Sequence, residues 1–339
     1  MKRKVKRIEA GSFYTYLSEG CKLCRRGAKL VLFITGLCPN SCYYCPISKE
    51  RWQKDVIYAN ERLVKSYDDL IEELNLMSAE GVAITGGEPL VKLKRVLDYI
   101  KFLKKSDLHI HLYTSVPAKE NVIKMLANAG LDEIRFHPPE LKYPEIYIES
   151  IKVSKKLGIE TGFEIPSIKF CEKIVDIVNR YDIFLNLNEL EFSETNYEEL
   201  KKRGFEVDGL YGTKGSLEIA KKYLDVVEKF HYCTAKFKDS TQLRRRLIRM
   251  ALNHPEFYII TREGTIICGF IEGSKENLEK VKKLLKRLGQ KYMEVENGIE
   301  TSVEFVKEWK ENLKKNNLKL SIIERYPTSK RIVVEVLPL

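Results

Sequence analysis

Three cysteines lie close together near the start of the chain, in the order Cys38, Cys42 and Cys45. Their C-x3-C-x2-C spacing, with Pro39 and Asn40 favouring a turn, places three thiols on one short loop. Three thiolates leave one iron of a standard [4Fe–4S] cluster open to a ligand from outside the protein. The spacing by itself also fits a zinc site whose fourth ligand lies elsewhere in the chain. The loop is therefore predicted to bind a metal ion or cluster.

A second chemical pattern is Gly86-Gly87-Glu88-Pro89, which follows the short apolar run 82–85. Paired glycines allow a ligand to approach the backbone closely, because no Cβ atom stands in the way. A carboxylate or a backbone carbonyl beside them is a suitable acceptor for an ammonium group. Alone, the pattern also fits an ordinary turn between a strand and a helix.

The hydrophobic pattern predicts the elements that position these two loops. Short apolar runs typical of buried strands occupy residues 30–35, 82–85, 109–114, 133–136, 160–165 and 183–187. Helical patterns lie between them, at about 67–79, 91–105, 118–129, 143–157 and 169–180. Repeated alternation of strand and helix predicts a parallel sheet with right-handed crossovers. Both a doubly wound sheet and a barrel fit this alternation.

The last of these strands favours the barrel. Leu185 and Leu187 lie on one of its faces, and Asn186 and Asn188 lie on the other. A polar inner face is typical of a barrel strand whose interior meets a ligand near its carboxyl end. We therefore predict an α/β fold with a partial (βα)6 TIM-like barrel and a smaller C-terminal α+β domain. The predicted divisions are a basic N-terminal extension at 1–27, the barrel at 28–235 and the α+β domain at 236–339.

A further group of cysteines flanks the predicted barrel. Cys21 and Cys24 form a C-x2-C pair just before it, and Cys233 lies at its other end. Because the ends of a nearly closed barrel can lie side by side, these thiols are predicted to form an auxiliary iron–sulfur cluster. Its fourth position is open, or is filled by His231 or Cys268. There are two alternatives to the cluster. One is a zinc site with His231 as the fourth ligand, and the other is that these residues bind no metal.

Taken together, these motifs resemble those of the radical S-adenosylmethionine superfamily. That family's cluster motif is C-x3-C-x-aromatic-C, and Tyr44 stands at the aromatic position. Its GGEP motif follows the second strand, as Gly86, Gly87 and Glu88 do here. The resemblance covers roughly residues 28–230, and within the family it is similar to the pyruvate formate-lyase activating enzyme group.

The resemblance implies cofactors and a reaction. Cys38, Cys42 and Cys45 would hold a [4Fe–4S] cluster, whose open iron takes the amino and carboxylate groups of S-adenosylmethionine. One electron then cleaves the sulfonium to methionine and a 5′-deoxyadenosyl radical, which removes a hydrogen atom from the substrate. A reductant such as ferredoxin or flavodoxin is the implied partner.

Other cofactor contacts follow from the same resemblance. Tyr44 lies in the cluster loop, and Gly86, Gly87 and Glu88 are expected at the amino group of the methionine moiety. After later strands, Ser115 and Glu164 are expected at the ribose, with a solvated rim position as the alternative for Glu164. His137 ends the fourth strand, where contact with substrate is expected. Asn186 and Asn188 line the substrate side or serve as structural amides.

Composition limits the class of protein. Of the residues, 44% are hydrophobic and 32% charged, which excludes a disordered chain. The apolar runs are far shorter than the ~20 residues that cross a bilayer, so no membrane association is expected. The basic start has no apolar segment behind it, which predicts no signal peptide and a cytoplasmic protein.

The charge of the chain is strongly positive, at +11. Residues 239–339 carry 20 Lys and Arg against 14 Asp and Glu, and residues 1–10 carry five basic residues against one acidic. A basic helix at 244–249 fits binding to nucleic acid phosphates, whereas solvated helix faces are the plainer explanation.

The expected function is that of a radical S-adenosylmethionine enzyme whose substrate (protein, RNA or small molecule) is not identified by the sequence. One alternative is an activase of a glycyl radical enzyme, and another is an enzyme that modifies tRNA or other RNA. A third is a non-catalytic metal-containing protein that binds nucleic acid through its basic ends.

Overall fold

The computed structural model describes residues 4–339, so residues 1–3 of the predicted N-terminal extension lie outside the described part of the chain. By mutual packing, the residues group into two units. The first contains the segment up to Leu74 together with Ala79–Leu243, and the second contains Asn75–Ser78 together with Arg244–Leu339. The main change of unit thus follows residue 243, whereas we predicted it after residue 235. The segment before residue 28 belongs to the first unit.

The first unit is built on one large sheet and a separate small hairpin. Its strands are β1 (Lys6–Arg7), β2 (Phe13–Tyr14), β3 (Lys29–Phe33), β4 (Tyr58–Ala59), β5 (Arg62–Leu63), β6 (Gly81–Thr85), β7 (His109–Thr114), β8 (Glu133–Phe136), β9 (Glu160–Pro166), β10 (Phe184–Asn188), β11 (Val207–Asp208), β12 (Gly212–Thr213) and β13 (Phe230–Cys233). Strands β11 and β12 form the hairpin.

In the large sheet, β3, β6, β7, β8, β9, β10 and β13 run parallel in that order. The antiparallel strands β4 and β5 continue it beyond β3, and β2 and β1 continue it beyond β13. The six predicted strands are all present. Strand β13 is a seventh parallel strand, which the hydrophobic pattern did not predict because His231 interrupts its apolar run.

Helices connect the parallel strands as expected for βα units, and one more helix precedes the first of these strands and another follows the last. They are α1 (Glu19–Arg25), α2 (Tyr67–Leu76), α3 (Leu93–Leu103), α4 (Glu120–Ala129), α5 (Ile148–Lys156), α6 (Glu172–Arg180), α7 (Tyr197–Lys202), α8 (Ser216–Val226) and α9 (Ala235–Phe237). Short 3-10 turns lie at Glu9–Gly11, Pro89–Lys92, Pro139–Leu141 and Pro144–Tyr147, and a π-helical stretch at Lys238–Leu243.

The parallel strands curve around one interior cavity of about 510 Å³. One side chain or more from each strand lines it, among them Val31, Ala83, Tyr113, Arg135, Glu164, Asn186 and His231. The opposite face of the sheet is apolar: Leu32, Ile84, Leu112 and Ile134 form one row across four strands, and each is fully buried. A polar interior inside an apolar outer layer confirms the predicted partial barrel.

Helix α1, which lies in the predicted basic N-terminal extension, packs against the amino ends of the strands. The Ser18 side chain accepts a hydrogen bond from the backbone of Cys21 and caps the helix. The first two backbone amides of the helix donate to acidic residues that begin strands β9 and β8. Glu19 N donates to Glu160, and Gly20 N donates to Glu133 at 2.9 Å. Carboxylates at a helix N-terminus satisfy its unpaired amides and its dipole.

The second unit is a smaller α+β structure. Its elements are α10 (Arg244–Leu252), β14 (Ile259–Ile260), β15 (Ile266–Glu272), α11 (Lys275–Arg287), β16 (Tyr292–Val295), β17 (Gly298–Thr301), α12 (Val303–Glu308), α13 (Lys310–Lys314), β18 (Lys319–Arg325) and β19 (Val333–Pro338). Strand β15 pairs with β14, β17 and β18, all antiparallel. The β16–β17 hairpin, which turns at Glu296 and Asn297, was not predicted.

Candidate functional site

The loop after β3 carries the three cysteines into the cavity. It folds back on itself because Gly36 N donates to Lys54 O, and Gln53 Nε2 donates to the carbonyl of Cys38 at 2.7 Å. Cys38, Cys42 and Cys45 all line the cavity. Burial raises the pKa of each of these thiols above the ordinary value. The loop therefore presents three partly buried thiols to one enclosed space.

Tyr44 attaches this loop to the fourth parallel strand. Its hydroxyl donates to His137 Nε2 at 3.0 Å and accepts from the backbone of Glu140 at 2.8 Å. The other ring nitrogen of His137 donates to the carbonyl of Glu164 at 2.9 Å, which fixes the tautomer. Burial lowers the pKa of His137, so its ring is neutral. His137, which we expected at the substrate, is therefore a partner of the cluster loop.

The two glycines after β6 allow the cluster loop to pack on this turn. A Cβ at Gly86 would lie 2.5 Å from Thr35 O, and one at Gly87 would lie 2.6 Å from the carbonyls of Gly36 and Leu37. Gly87 N also donates to Thr35 O at 2.8 Å. The glycines thus serve the contact between two loops, a reason that the sequence motif alone does not reveal.

The carboxylate of Glu88 is completely buried and accepts four hydrogen bonds. Oε1 accepts from Leu90 N at 3.0 Å and from the Thr114 hydroxyl at 2.8 Å. Oε2 accepts from the backbone and from the hydroxyl of Ser115, both at 2.7 Å. The Ser115 hydroxyl in turn accepts from Asn40 Nδ2 at 2.8 Å. Glu88 and Ser115 therefore join the glycine turn, β7 and the cluster loop into one network.

Deeper in the cavity, Arg135 on β8 is only 2% exposed and contacts two acids. Its Nε lies 2.5 Å from Glu133, and its Nη1 lies 2.5 Å from Glu164. Glu164 also accepts from Asn188 at 2.8 Å and Asn186 at 3.2 Å. Burial favours a higher pKa for Glu164, but Arg135 and Asn188 outweigh it and lower the pKa to about 2. Its carboxylate is thus already engaged by protein donors.

Arg135 was not among the predicted site residues. The available signal was a pair of charges, Glu133 and Arg135, on alternate positions of a strand that is otherwise apolar and buried. Charged residues are rarely fully buried unless they are paired. Such alternation in a barrel strand indicates an interior network.

Cys21, Cys24 and Cys233 line the same cavity as the cluster loop. Cys21 Sγ accepts from Asn186 Nδ2 at 3.3 Å and from Arg135 Nη2 at 3.5 Å. Cys233 Sγ accepts from Gln242 Nε2 at 3.7 Å. The structure therefore places these three cysteines on the lining of one cavity, although Cys21 and Cys233 lie more than 200 residues apart in the chain.

Two further candidates for the fourth position of this group differ in location. His231 lines the cavity and is 4% exposed, and neither ring nitrogen has a hydrogen-bond partner. Burial lowers its pKa to about 3. Cys268 instead lies in the core of the second unit, packed with Ile266 and Ile323. Cys268 is therefore not a lining residue of this cavity, and its proposed place in the site was wrong.

One set of ligand atoms lies close enough for a single metal ion. Among the described residues, only His109, His111 and Glu133 form a group of three or more such atoms within 4.8 Å of one another. Arg135 already pairs with Glu133, and Lys29 Nζ lies 3.3 Å from His111 Nε2. The positive charges beside this group oppose binding of a cation.

No helix in residues 4–339 combines the length and apolar character needed to cross a membrane.

Two family models match the chain. Residues 32–168 match the model of the radical SAM superfamily. Residues 264–339 match a domain of unknown function, DUF8061.

Similar proteins include one from Methanocaldococcus jannaschii, provisionally named as a glycyl-radical enzyme activating enzyme. It is 39% identical over 351 residues, covering 95% of this chain and 93% of the relative. Among solved structures, SuiB from Streptococcus suis bound to S-adenosylmethionine matches with a TM-score of 0.42 and 16% identity. That match covers 63% of this chain and 52% of SuiB, so the chain spans about half the length of this structure. SuiB bound to its precursor peptide SuiA gives a TM-score of 0.41.

Proposed function

Because the chain belongs to the radical S-adenosylmethionine superfamily, we propose that its barrel cavity is the active site and that Cys38, Cys42 and Cys45 hold the catalytic cluster. The chain is an enzyme whose cofactors are a [4Fe–4S] cluster and S-adenosylmethionine. When bound, the reduced cluster supplies the electron that splits S-adenosylmethionine into methionine and a 5′-deoxyadenosyl fragment, which takes a hydrogen atom from the substrate.

The protein's own residues set the position of these groups. Three thiols on one folded loop supply three ligands, which leaves the fourth iron to the amino and carboxylate groups of S-adenosylmethionine. The Glu88 carboxylate already accepts four hydrogen bonds from the protein. We therefore assign the contact with the ammonium group of S-adenosylmethionine to the backbone carbonyls of Gly86 and Gly87. Glu88 then acts as a positioning residue for that turn.

Ser115 and Glu164 have different parts in this proposal. Ser115 links the cluster loop to the end of β7 through Asn40, and its place beside Glu88 supports a contact with the ribose. Glu164 is tied to Arg135 and Asn188, so we assign it to the cavity network and only secondarily to the ribose. Tyr44 holds the cluster loop through His137.

We further propose that the substrate is a backbone glycine of a partner protein. The relative that covers 95% of this chain carries the name of an activating enzyme for glycyl-radical enzymes, and this similarity is the observation that carries the proposal. The cavity of about 510 Å³ would have to accommodate both cofactors, and the space left beside them would suit a narrow chain segment. Glycine is the residue whose Cα is least shielded, because it has no side chain.

Cleavage of S-adenosylmethionine tests the catalytic assignment. The protein is reconstituted anaerobically with iron and sulfide, reduced with dithionite and assayed for 5′-deoxyadenosine. Cys42→Ala should abolish the product. Cys171→Ala is the matched control, because Cys171 precedes α6 and is not a lining residue of the cavity. Product formation by Cys42→Ala, or none by the unaltered protein with its iron bound, would overturn the assignment.

Isotope transfer tests the substrate class. Proteins from the encoding organism, grown on glycine deuterated at Cα and freed of small molecules, are incubated with the reduced enzyme. Deuterium in 5′-deoxyadenosine, together with a protein-based glycyl radical signal in electron paramagnetic resonance, is expected. Formation of 5′-deoxyadenosine that contains only protium would contradict a glycine substrate while leaving the cofactor assignment intact.

A further inference from the structure

A second group of thiols lies in the active-site cavity, on elements other than the cluster loop. Cys21 and Cys24 lie three residues apart on α1, so they share one face of that helix. Cys233 ends β13, the last parallel strand. All three line the cavity, although the catalytic assignment uses none of them.

The pairing of β10 with β13 places these elements at one level of the barrel. Asn186 lies opposite His231, and Asn188 lies opposite Cys233. The Asn186 side chain donates to Cys21 Sγ at 3.3 Å, so the helix cysteine reaches the level of His231. His231 and Cys233 are two residues apart on a strand and therefore face the same side.

Protein N–H groups point at two of these three sulfurs. Arg135 and Asn186 direct N–H groups at Cys21 Sγ, and Gln242 directs one at Cys233 Sγ. Hydrogen bonds to sulfur are a feature of iron–sulfur sites, where they tune the reduction potential.

His231 supplies a second, independent observation. The residue lines the cavity and is only 4% exposed. Neither of its ring nitrogens has a hydrogen-bond partner. An unpaired polar group in a buried position costs free energy. A metal bond to one nitrogen would remove part of this cost.

We propose that Cys21, Cys24, Cys233 and His231 bind a second iron–sulfur cluster in the active-site cavity. The proposal goes beyond the proposed function, because it concerns other residues and depends neither on the substrate nor on cleavage of S-adenosylmethionine.

The spacing of the ligand atoms favours a cluster over a single zinc ion. Sulfurs around one tetrahedral zinc lie about 3.8 Å apart, given Zn–S bonds of about 2.3 Å. Among the described residues, neither this group nor the Cys38, Cys42 and Cys45 group forms a set of three atoms within 4.8 Å. A cluster spreads its cysteines further because each binds a different iron. Neither group is therefore as compact as a single tetrahedral zinc site requires.

Metal counting in two triple variants tests the proposal. Cys38→Ala/Cys42→Ala/Cys45→Ala should retain about four irons with equal sulfide, against about eight in the unaltered protein. Cys21→Ala/Cys24→Ala/Cys233→Ala should also retain about four and keep the catalytic cluster, which shows that it folds. Zinc without sulfide in the first variant, or no metal in that variant while its circular dichroism is unchanged, would overturn the proposal.

The fourth ligand has a test of its own. In the reduced first variant, pulsed electron paramagnetic resonance should detect strong ¹⁴N coupling, which His231→Ala should remove and His254→Ala should leave unchanged. His254 is the control because it lies in the second unit and contacts Pro327 O. A cluster without ¹⁴N coupling would overturn the assignment of His231. These results are separate from 5′-deoxyadenosine formation, so failure of one proposal is distinguishable from failure of the other.

Discussion

Glu88 and Glu164 show that the role of a carboxylate inside a cavity depends on the hydrogen-bond donors that surround it. Both were expected to contact the cofactor. In the structure, Glu88 accepts four hydrogen bonds from three residues, and Glu164 accepts from Arg135 and two asparagines. A buried acceptor that is fully paired stabilises its surroundings, and leaving its donors unpaired is costly. Changes at these residues therefore act first on the geometry of the cavity.

Glu88→Gln is expected to weaken cofactor binding through the turn. The glutamine amide replaces acceptor lone pairs with donors that face Ser115 N or Leu90 N, at a cost of about 1–3 kcal/mol. We expect the Kd for S-adenosylmethionine to rise about tenfold, corresponding to about 1.4 kcal/mol. Ser115→Ala should have a smaller effect in the same direction. Isothermal titration of the reconstituted protein measures both; an unaltered Kd in Glu88→Gln would contradict the positioning role.

Glu164→Gln is expected to reduce stability in a pH-dependent manner. The pKa of Glu164 is lowered to about 2, so its ionised form stabilises the fold above its ordinary pKa, and this contribution is lost as pH falls from about 4.5 through 2. The variant should be about 3 kcal/mol less stable at pH 7, and the difference should shrink near pH 3. Denaturant unfolding followed by Trp52 fluorescence in a Trp309→Phe background measures this. A difference that is independent of pH would contradict the Arg135 pairing.

At the scale of elements, the site depends on two loops and one helix that pack closely. The cluster loop rests on the glycine turn, where Gly87 has no room for a Cβ. Helix α1 approaches the barrel interior through Gly20, where a Cβ would lie 2.7 Å from Arg135 Nη2. The cysteines on these elements are positioned by small residues that allow the approach.

Gly87→Ala is therefore expected to displace the cluster loop. Its Cβ would meet two backbone carbonyls at 2.6 Å, and backbone cannot rotate away as a side chain can. We expect the protein to lose most of its catalytic iron, measured as iron content in a background that lacks Cys21, Cys24 and Cys233. Gly158→Ala is the matched control: its φ of +79° costs about 1 kcal/mol, but no atom lies within 4 Å of the added Cβ. Equal iron retention in both variants would contradict the steric argument.

At the scale of the whole molecule, the chain contains two units with separate cores. The core of the second unit includes Ile271, Leu285 and Val306, and it also holds a fully buried acid, Glu300. Glu300 pairs with Arg325 at 2.8 Å and also contacts Arg331 and the Tyr258 hydroxyl. Each unit contains one of the two tryptophans, Trp52 in the first and Trp309 in the second.

Glu300→Gln is expected to destabilise the second unit strongly. It leaves the Arg325 and Arg331 guanidinium groups without their shared carboxylate, which typically costs about 3–5 kcal/mol. In a Trp52→Phe background, the unfolding transition reported by Trp309 should move to lower denaturant by this amount. Glu304→Gln on α12 is exposed and should change stability by less than about 0.5 kcal/mol. A small effect of Glu300→Gln would show that the pairing contributes little.

The sequence by itself determined the features that are local along the chain. Hydrophobic periodicity identified six parallel strands because each strand records its own burial in its residue pattern. The motifs of Cys38, Cys42 and Cys45 and of Gly86, Gly87 and Glu88 were recognisable because their spacing lies within a single loop. The same pattern did not identify β13 or the β16–β17 hairpin, because polar residues such as His231, Glu294 and Glu300 interrupt their apolar runs.

Only the tertiary structure decided which distant residues meet. Asn186 contacts Cys21 across 165 residues of chain, and Arg135 pairs with Glu164 inside the same cavity. These contacts arise because curvature of the sheet brings α1 and the last strand β13 to one interior. No local pattern records that curvature, since it results from the packing of all seven strands together.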